Sequence, residues 1–227
     1  MTSPRSDSSN GSSVDTVLFD LDGTLVDSNY QHTMAWMRAF GRRELTPPAW
    51  RIHRALGMGG DRLVAAVAGD DVEEQHGDAL REAWVEEYDP YLNDVHAFEG
   101  ARELLEDLAE RGCTVVLASS GKEHHVERYV ELLDGHRLAQ AWTSSSDAES
   151  TKPSPDLLVA ALKKVDHQQA TTVGDSVWDV RAAREIDLDT HAVLSGGTAA
   201  AELEEVGAAS VHEDVAALRQ ALDGVLG

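Results

Sequence analysis

Val14-Asp15-Thr16-Val17-Leu18-Phe19-Asp20-Leu21-Asp22-Gly23-Thr24-Leu25-Val26-Asp27-Ser28 is the stretch whose reading decides the fold. An apolar, β-prone run (Val14, Val17, Leu18, Phe19) delivers two carboxylates two residues apart, and Gly23 then turns the chain away. Open α/β sheets place their sites at the carboxyl ends of parallel strands. Two acids at such an end repel each other unless a cation or a shared proton relieves them. A metal-assisted carboxylate site is therefore the first hypothesis. The plain alternative is an acidic loop, since Asp and Gly are ordinary turn residues.

Working outward, the 227-residue chain is long enough for one domain carrying an inserted subdomain. The N-terminal segment 1–13 is rich in Ser and has no apolar core, which predicts a disordered tail. The first strand is expected over about Val14 to Asp20. Apolar residues then recur at helical spacing, with breaks at Gly41, Pro47-Pro48, Gly57 to Gly60 and Gly69. Met34, Met37 and Phe40 come first, then Leu63, Val64 and Val67, then Leu80, Trp84 and Tyr88.

From Ala101 onward helices and strands alternate: a helix to Arg111 closed by Gly112, a strand over 113–118, a helix from Lys122 to Leu133 and a short strand near 139–143. Pro155 opens a helix to about Val165, with Ser154 as its N-cap. A strand over 171–174, a helix over 177–186 and a strand over 191–194 follow. A short strand at Val211 and a helix over 215–222 end the chain. This pattern predicts an α/β fold, a Rossmann-like doubly wound parallel sheet core with an inserted all-helical cap subdomain. The core is expected over 14–28 and 94–227 and the cap over 29–93.

Four strand ends then line up by residue type. They are Asp20 and Asp22; Ser119-Ser120-Gly121; Lys152-Pro153; and Gly174-Asp175-Ser176 with Asp179. Each has a dull reading as turn, exposed loop or helix cap. Together and in this order they supply what phosphoryl transfer needs: a carboxylate nucleophile, a second acid, hydroxyl and N–H donors, a fixed lysine and carboxylates for a hard cation.

On these residues the chain resembles the haloacid dehalogenase superfamily in its phosphatase branch, with DxDGTLxDS at Asp20 to Ser28 and the later motifs at Ser119, Lys152 and Asp175 to Asp179. The helical insertion is similar in place and size to the cap of the β-phosphoglucomutase and phosphoglycolate phosphatase subgroup. The resemblance implies that Asp20 is the nucleophile and forms an aspartyl-phosphate, with Asp22 as general acid and base. Mg²⁺ is then held by Asp20, the Asp22 carbonyl and Asp175. Ser119 and the following donors grip phosphoryl oxygens, Lys152 pairs with Asp20 and phosphate, and Asp179, beside Ser176, orients Lys152 or a metal water. Gly23, Thr24, Ser120, Gly121, Lys122, His32 and Arg62 are the expected substrate contacts.

Within that family Asp22 argues against the dehalogenating branch. The absence of lysine between Ser28 and Asn93 excludes a Schiff-base phosphonate chemistry there. A mutase of the β-phosphoglucomutase type remains the alternative. His32 and Lys122 resemble its residues, but a gapless reading puts Gly60, with Arg62 two places on, where it has a phosphate-gripping arginine. A catalytically weak binding or regulatory protein on the same fold is the distant third reading. Arg51, His53, Arg54 and Arg62 are the cap's candidate anion contacts. Trp36, Trp50 and Trp84 are expected in the cap core, and Trp178 in packing.

Composition limits the partners. The net charge is −22, with 41 acidic against 19 basic residues, which disfavours nucleic acid and anionic membrane surfaces and favours a monomer. No apolar run approaches the about 20 residues of a membrane span. One cysteine, Cys113, rules out an internal disulfide and fits a reducing, cytoplasmic setting. The expected partner is a small phosphorylated metabolite.

Overall fold

The structure, a computed structural model, describes residues 13–148 and 150–227. The expected tail lies almost wholly outside the described residues. Strand β1 (Thr16–Phe19) is fully buried and shorter at both ends than its apolar run suggests. The chain then makes β2 (Val26–Asp27) and four helices: α1 (Asn29–Gly41), α2 (Ala49–Ala55), α3 (Gly60–Ala68) and α4 (Asp70–Tyr88). A 3-10 turn (Asp89–Asn93) and β3 (His96–Ala97) lead back to the sheet.

β2 and β3 pair antiparallel, Val26 opposite Ala97 and Asp27 opposite His96, so the two chain crossings into and out of the helical block are tied to each other. Two-residue strands carry no periodicity, and the sequence offers no sign of this ribbon.

The remaining elements alternate: α5 (Ala101–Glu110), β4 (Thr114–Ala118), α6 (Glu123–Leu132), α7 (Gly135–Leu138), β5 (Ala141–Thr143), α8 (Asp156–Leu162), β6 (Ala170–Gly174), α9 (Val177–Arg184), β7 (Thr190–Val193), α10 (Ala200–Val206), β8 (Ser210–His212), α11 (Val215–Gln220) and α12 (Leu222–Leu226). Pro155 is the N-cap of α8, one place earlier than its expected first helical position. Six strands form one sheet in the order β5-β4-β1-β6-β7-β8, every pairing parallel.

Side chains alternate across this sheet with period two, so each face needs its own cover. Val17, Phe19, Val115 and Leu117 face α5, α6, α11 and α12 through Leu104, Leu105, Tyr129 and Leu218. Leu18, Val116 and Ala118 face α8 and α9 through Leu158, Ala161, Ala182 and Ala183. Each fully buried leucine contributes about 1.5–3 kcal/mol. Cys113 lies in the first of these layers, as expected.

The helical block has a separate apolar cluster that includes Trp36, Phe40, Ile52, Leu63, Val64 and Leu80. Two expectations fail there. Met34 and Met37 are exposed, because α1 buries the face carrying His32, Ala35, Trp36, Ala39 and Phe40 instead. Trp50 is exposed, with the Arg51 guanidinium over its ring at 5.7 Å. No helix among the described residues is long and apolar enough to cross a membrane.

Candidate active site

Parallel register brings the motifs together. Phe19 pairs with Leu117 on one side and Val173 on the other, so the residues following β1, β4 and β6 emerge at one edge. The Asp20 N–H still donates to the Val173 carbonyl at 2.9 Å, which fixes where its carboxylate begins. Lys152 Nζ lies 2.5 Å from Asp20 Oδ1 and 2.6 Å from Asp179 Oδ1, with all three side chains nearly inaccessible. Its charge survives burial because Asp179 and Asp20 flank it, and its pKa is raised. The Lys152–Pro153 peptide is cis.

Asp179 does two jobs from one position. One oxygen takes Lys152; the other accepts the Ser176 N–H at 3.0 Å and the Ser176 hydroxyl at 2.6 Å, closing a capping box at the start of α9. The helix cap therefore orients the carboxylate that orients the lysine.

Asp20, Asp175 and Asp179 place carboxylate oxygens within 4.8 Å of one another, all in buried or nearly buried positions. Burial, together with the neighbouring charges of Asp179 and Asp22, pushes the Asp20 carboxyl up to about 7 against the opposing pull of Lys152. Asp175 is driven well above the usual carboxylate range by burial, then by Asp179 and Asp20. One lysine does not balance this group. The surplus of buried oxygen donors suits a hard divalent cation, which makes the residues present a fit for one.

Asp175 is held by its neighbours. Its oxygens accept from Thr24 Oγ1 at 3.3 Å and Asn29 Nδ2 at 3.1 Å, and Asn29 also reaches the Gly196 carbonyl at 3.3 Å. Gly23, at φ +77°, passes so close that a Cβ there would sit 2.6 Å from Asp175 Oδ2. A Cβ on Gly196 would collide with the same carboxylate. Gly23 and Thr24, expected as substrate contacts, thus support the acid cluster and do not line the cavity above it. Ser119 is also off the cavity wall: it is buried, and its hydroxyl oxygen accepts the Gly121 N–H at 3.0 Å.

Asp22 turns away from the lysine. Its Oδ1 accepts from Ser28 Oγ at 2.6 Å and lies 2.8 Å from His32 Nε2. Burial works to raise its carboxyl, but the charge of His32, then hydrogen bonds from His32, Ser28 and Tyr129, outweigh it and hold the pKa at about 2. The His32 ring stacks on Tyr88 at 3.8 Å and 8°, and the Tyr88 and Tyr129 hydroxyls bond to each other.

Above these groups lies a cavity of about 250 Å³ between the sheet edge and the helical block. Asp20, Asp22 and Lys152 reach it from the sheet side, and His32, Ser120, Gly121 and Lys122 also line it. The cap residues read from sequence are elsewhere. Arg62 is exposed and lines no part of this wall. Arg51 binds the Val67 carbonyl, Arg54 pairs with Glu202, and His53 stacks on Tyr30. The Trp178 indole donates to the Arg54 carbonyl at 3.2 Å.

The cation that does line the cavity from α4 is Arg81, unforeseen in the sequence. Its guanidinium is taken by Glu73 at 2.8 Å, Asp78 at 2.8 Å and the Gly60 carbonyl at 3.0 Å. Beside it Trp36 and Trp84 stack at 5.4 Å and 15°; both belong to the helical block's apolar packing, as expected, and both also line the cavity.

A doubly covered parallel sheet with Asp-x-Asp, Lys and Asp at successive strand ends defines a class of α/β hydrolases. The haloacid dehalogenase-like hydrolase model matches residues 14–187, and the chain belongs to that family of enzymes. A phosphoglycolate phosphatase 1 of Pseudomonas aeruginosa is 31% identical over 195 residues, covering 79% of this chain and 69% of the relative. An N-acetylmuramic acid 6-phosphate phosphatase of Pseudomonas putida is 28% identical over 185 residues, covering 79% and 82%. Among solved structures, a hydrolase from Pseudomonas syringae superposes with a TM-score of 0.87 at 32% identity, covering 93% of this chain and 99% of that one.

Proposed function

We propose that the protein is a Mg²⁺-dependent phosphatase of a small phosphorylated metabolite, acting in the cytoplasm through an aspartyl-phosphate on Asp20. The observation that carries this reading is the buried Asp20–Lys152–Asp179 chain with Asp175 alongside, opening onto a cavity that Asp22 also reaches. Asp20 would attack phosphorus as the leaving oxygen departs, and Lys152 offsets charge between carboxylate and phosphoryl group. Asp22 is ionised: against burial, His32, Ser28 and Tyr129 hold its carboxyl at about 2. A bound phosphoryl dianion would oppose that pull, and Asp22 would then pass a proton to the leaving oxygen and later take one from water. Asp20, Asp175 and the Asp22 carbonyl would hold the cation, which supplies charge neutralisation at the phosphoryl oxygens. Residues 29–93 would act as the cap that closes the site and reads the leaving group.

The cavity favours a leaving group that carries a ring and no second anion. Its distal wall offers the Trp36–Trp84 stack, while Arg81 is already matched by two carboxylates. A mutase needs a free cap cation for a second phosphate, and neither Arg81 nor the outlying Arg62 provides one. The test is phosphate release from a panel containing phosphoglycolate, pyrophosphate and several sugar phosphates, with Mg²⁺ and with EDTA. Mg²⁺-dependent release with a sugar phosphate preferred is the expected result. Preference for phosphoglycolate would overturn the ring assignment, isomerisation of β-glucose 1-phosphate without release would overturn hydrolysis, and full activity in EDTA would overturn the metal.

A further inference from the structure

A second group of metal-ligating side chains lies away from the catalytic carboxylates. Asp89 opens the 3-10 turn that follows α4, and His124 and His125 stand in the first turn of α6. Each imidazole places Nε2 2.8 Å from the same Asp89 oxygen, the rings lie 4.1 Å apart, and one donor atom from each residue falls within 4.8 Å of the others. Among the described residues the two histidines are the only ion-pair partners recorded for Asp89.

We propose that Asp89, His124 and His125 form a second metal centre, one for a borderline transition ion such as Zn²⁺, at the junction between the helical block and α6.

Donor chemistry, geometry and access all point the same way. Two imidazole nitrogens and one carboxylate oxygen are a three-ligand set for Zn²⁺, with a fourth position left to water. Imidazole donors discriminate against Mg²⁺, which takes oxygen ligands. Tetrahedral bonds of about 2.0–2.1 Å would set the donors about 3.3 Å apart, so the present 2.8 Å spacings open by only about half an ångström. Asp89 and His124 are half exposed, which gives the ion an entry path, while His125 is 1% exposed and fixed in place.

The site has a structural reach as well. The His125 ring meets Tyr88 edge-on at 4.9 Å, and Tyr88 carries the stacked His32. An ion at this junction would brace that ring against α6.

The experiment is Zn²⁺ binding to the full chain in a large excess of Mg²⁺, by equilibrium dialysis and by thermal unfolding, alongside His124→Ala and Asp89→Asn. Both altered side chains are half exposed, so both variants are expected to fold, as circular dichroism would verify. Wild type should retain one Zn²⁺ per chain and unfold at a higher temperature with it. Either variant should lose affinity by at least about tenfold and lose the thermal gain. Co²⁺ in place of Zn²⁺ should give visible bands of a low-coordinate imidazole site, absent in His124→Ala. Equal Zn²⁺ binding by wild type and both variants, or displacement of the ion by Mg²⁺, would overturn the assignment.

Discussion

Asp20 shares a buried space with more negative charge than its one lysine offsets, and this crowding governs what substitution there should do. Asp20→Asn removes the proposed nucleophile, and turnover of any phosphomonoester should fall at least about 10⁴-fold. The same change relieves repulsion with Asp175 and Asp179, and Lys152 keeps its 2.6 Å contact with Asp179. The metal-free variant should therefore melt higher than metal-free wild type. Retained turnover in a homogeneous preparation would sink the nucleophile assignment, and a lower melting temperature would sink the charge argument. Arg81, which lines the cavity, and Arg62, which does not, make a matched pair of substitutions. Arg81→Ala frees Glu73 beside the substrate and unfastens Gly60, so KM should rise about tenfold, on the order of 1.4 kcal/mol. Arg62→Ala should leave KM within about twofold, and equal effects would return Arg62 to the site. The two arginines also mark what single residues disclose in sequence. That Asp20, Lys152, Asp175 and Asp179 come together was legible because they belong to loops or a helix start beyond successive expected strands, which a parallel sheet delivers to one edge. Asn29 and Gly196 were not, because their partners lie 146 and 167 residues away and nothing local marks them.

Elements obey the same division between local pattern and distant contact. The apolar spacing of Met34, Met37 and Phe40 correctly announces a helix, yet it names the wrong face. The buried stripe of α1 includes His32 and Thr33 because that side must reach Asp22 and α4. β1 and β4 were legible because they are nearly continuous apolar runs covered on both faces, whereas β2 and β3 exist only through each other. At the far edge of the sheet, β7 and β8 carry a polar pair with a consequence for acid stability. His191 Nδ1 and His212 Nε2 each lie 2.7 Å from the Ser210 hydroxyl, and burial lowers the pKa of both rings, with His212 adding to the effect on His191. The unfolded chain then binds protons at these positions near pH 6.5 while the folded chain does not. Stability from this pair is full above that pH and drains away as the pH falls toward the lowered folded values. His191→Gln keeps a partner for Ser210 and removes one titrating ring. Its urea midpoint should therefore fall less steeply than that of wild type between pH 7 and 5.5. Parallel slopes would show that the pair titrates normally.

On the scale of the whole molecule, a site built for a phosphate ester sits in a protein of net charge −22. The two signs act over different distances. Near the cavity, Lys122, Lys152 and a bound divalent cation attract the phosphoryl group at contact range, while the surface field beyond them opposes its approach. Ionic strength separates these contributions. The Debye length is about 30 Å at 0.01 M and about 8 Å at 0.15 M, so salt screens the long-range repulsion and leaves buried contacts almost untouched. For a good substrate at saturating Mg²⁺, kcat/KM should rise severalfold between those ionic strengths, with kcat unchanged. The gain should be larger for a dianionic phosphomonoester than for its monoanion at lower pH. A fall in kcat/KM with added salt would mean that the cavity's own cations govern the encounter, and that the acidic surface, whatever it does for solubility, is too far from the entrance to matter.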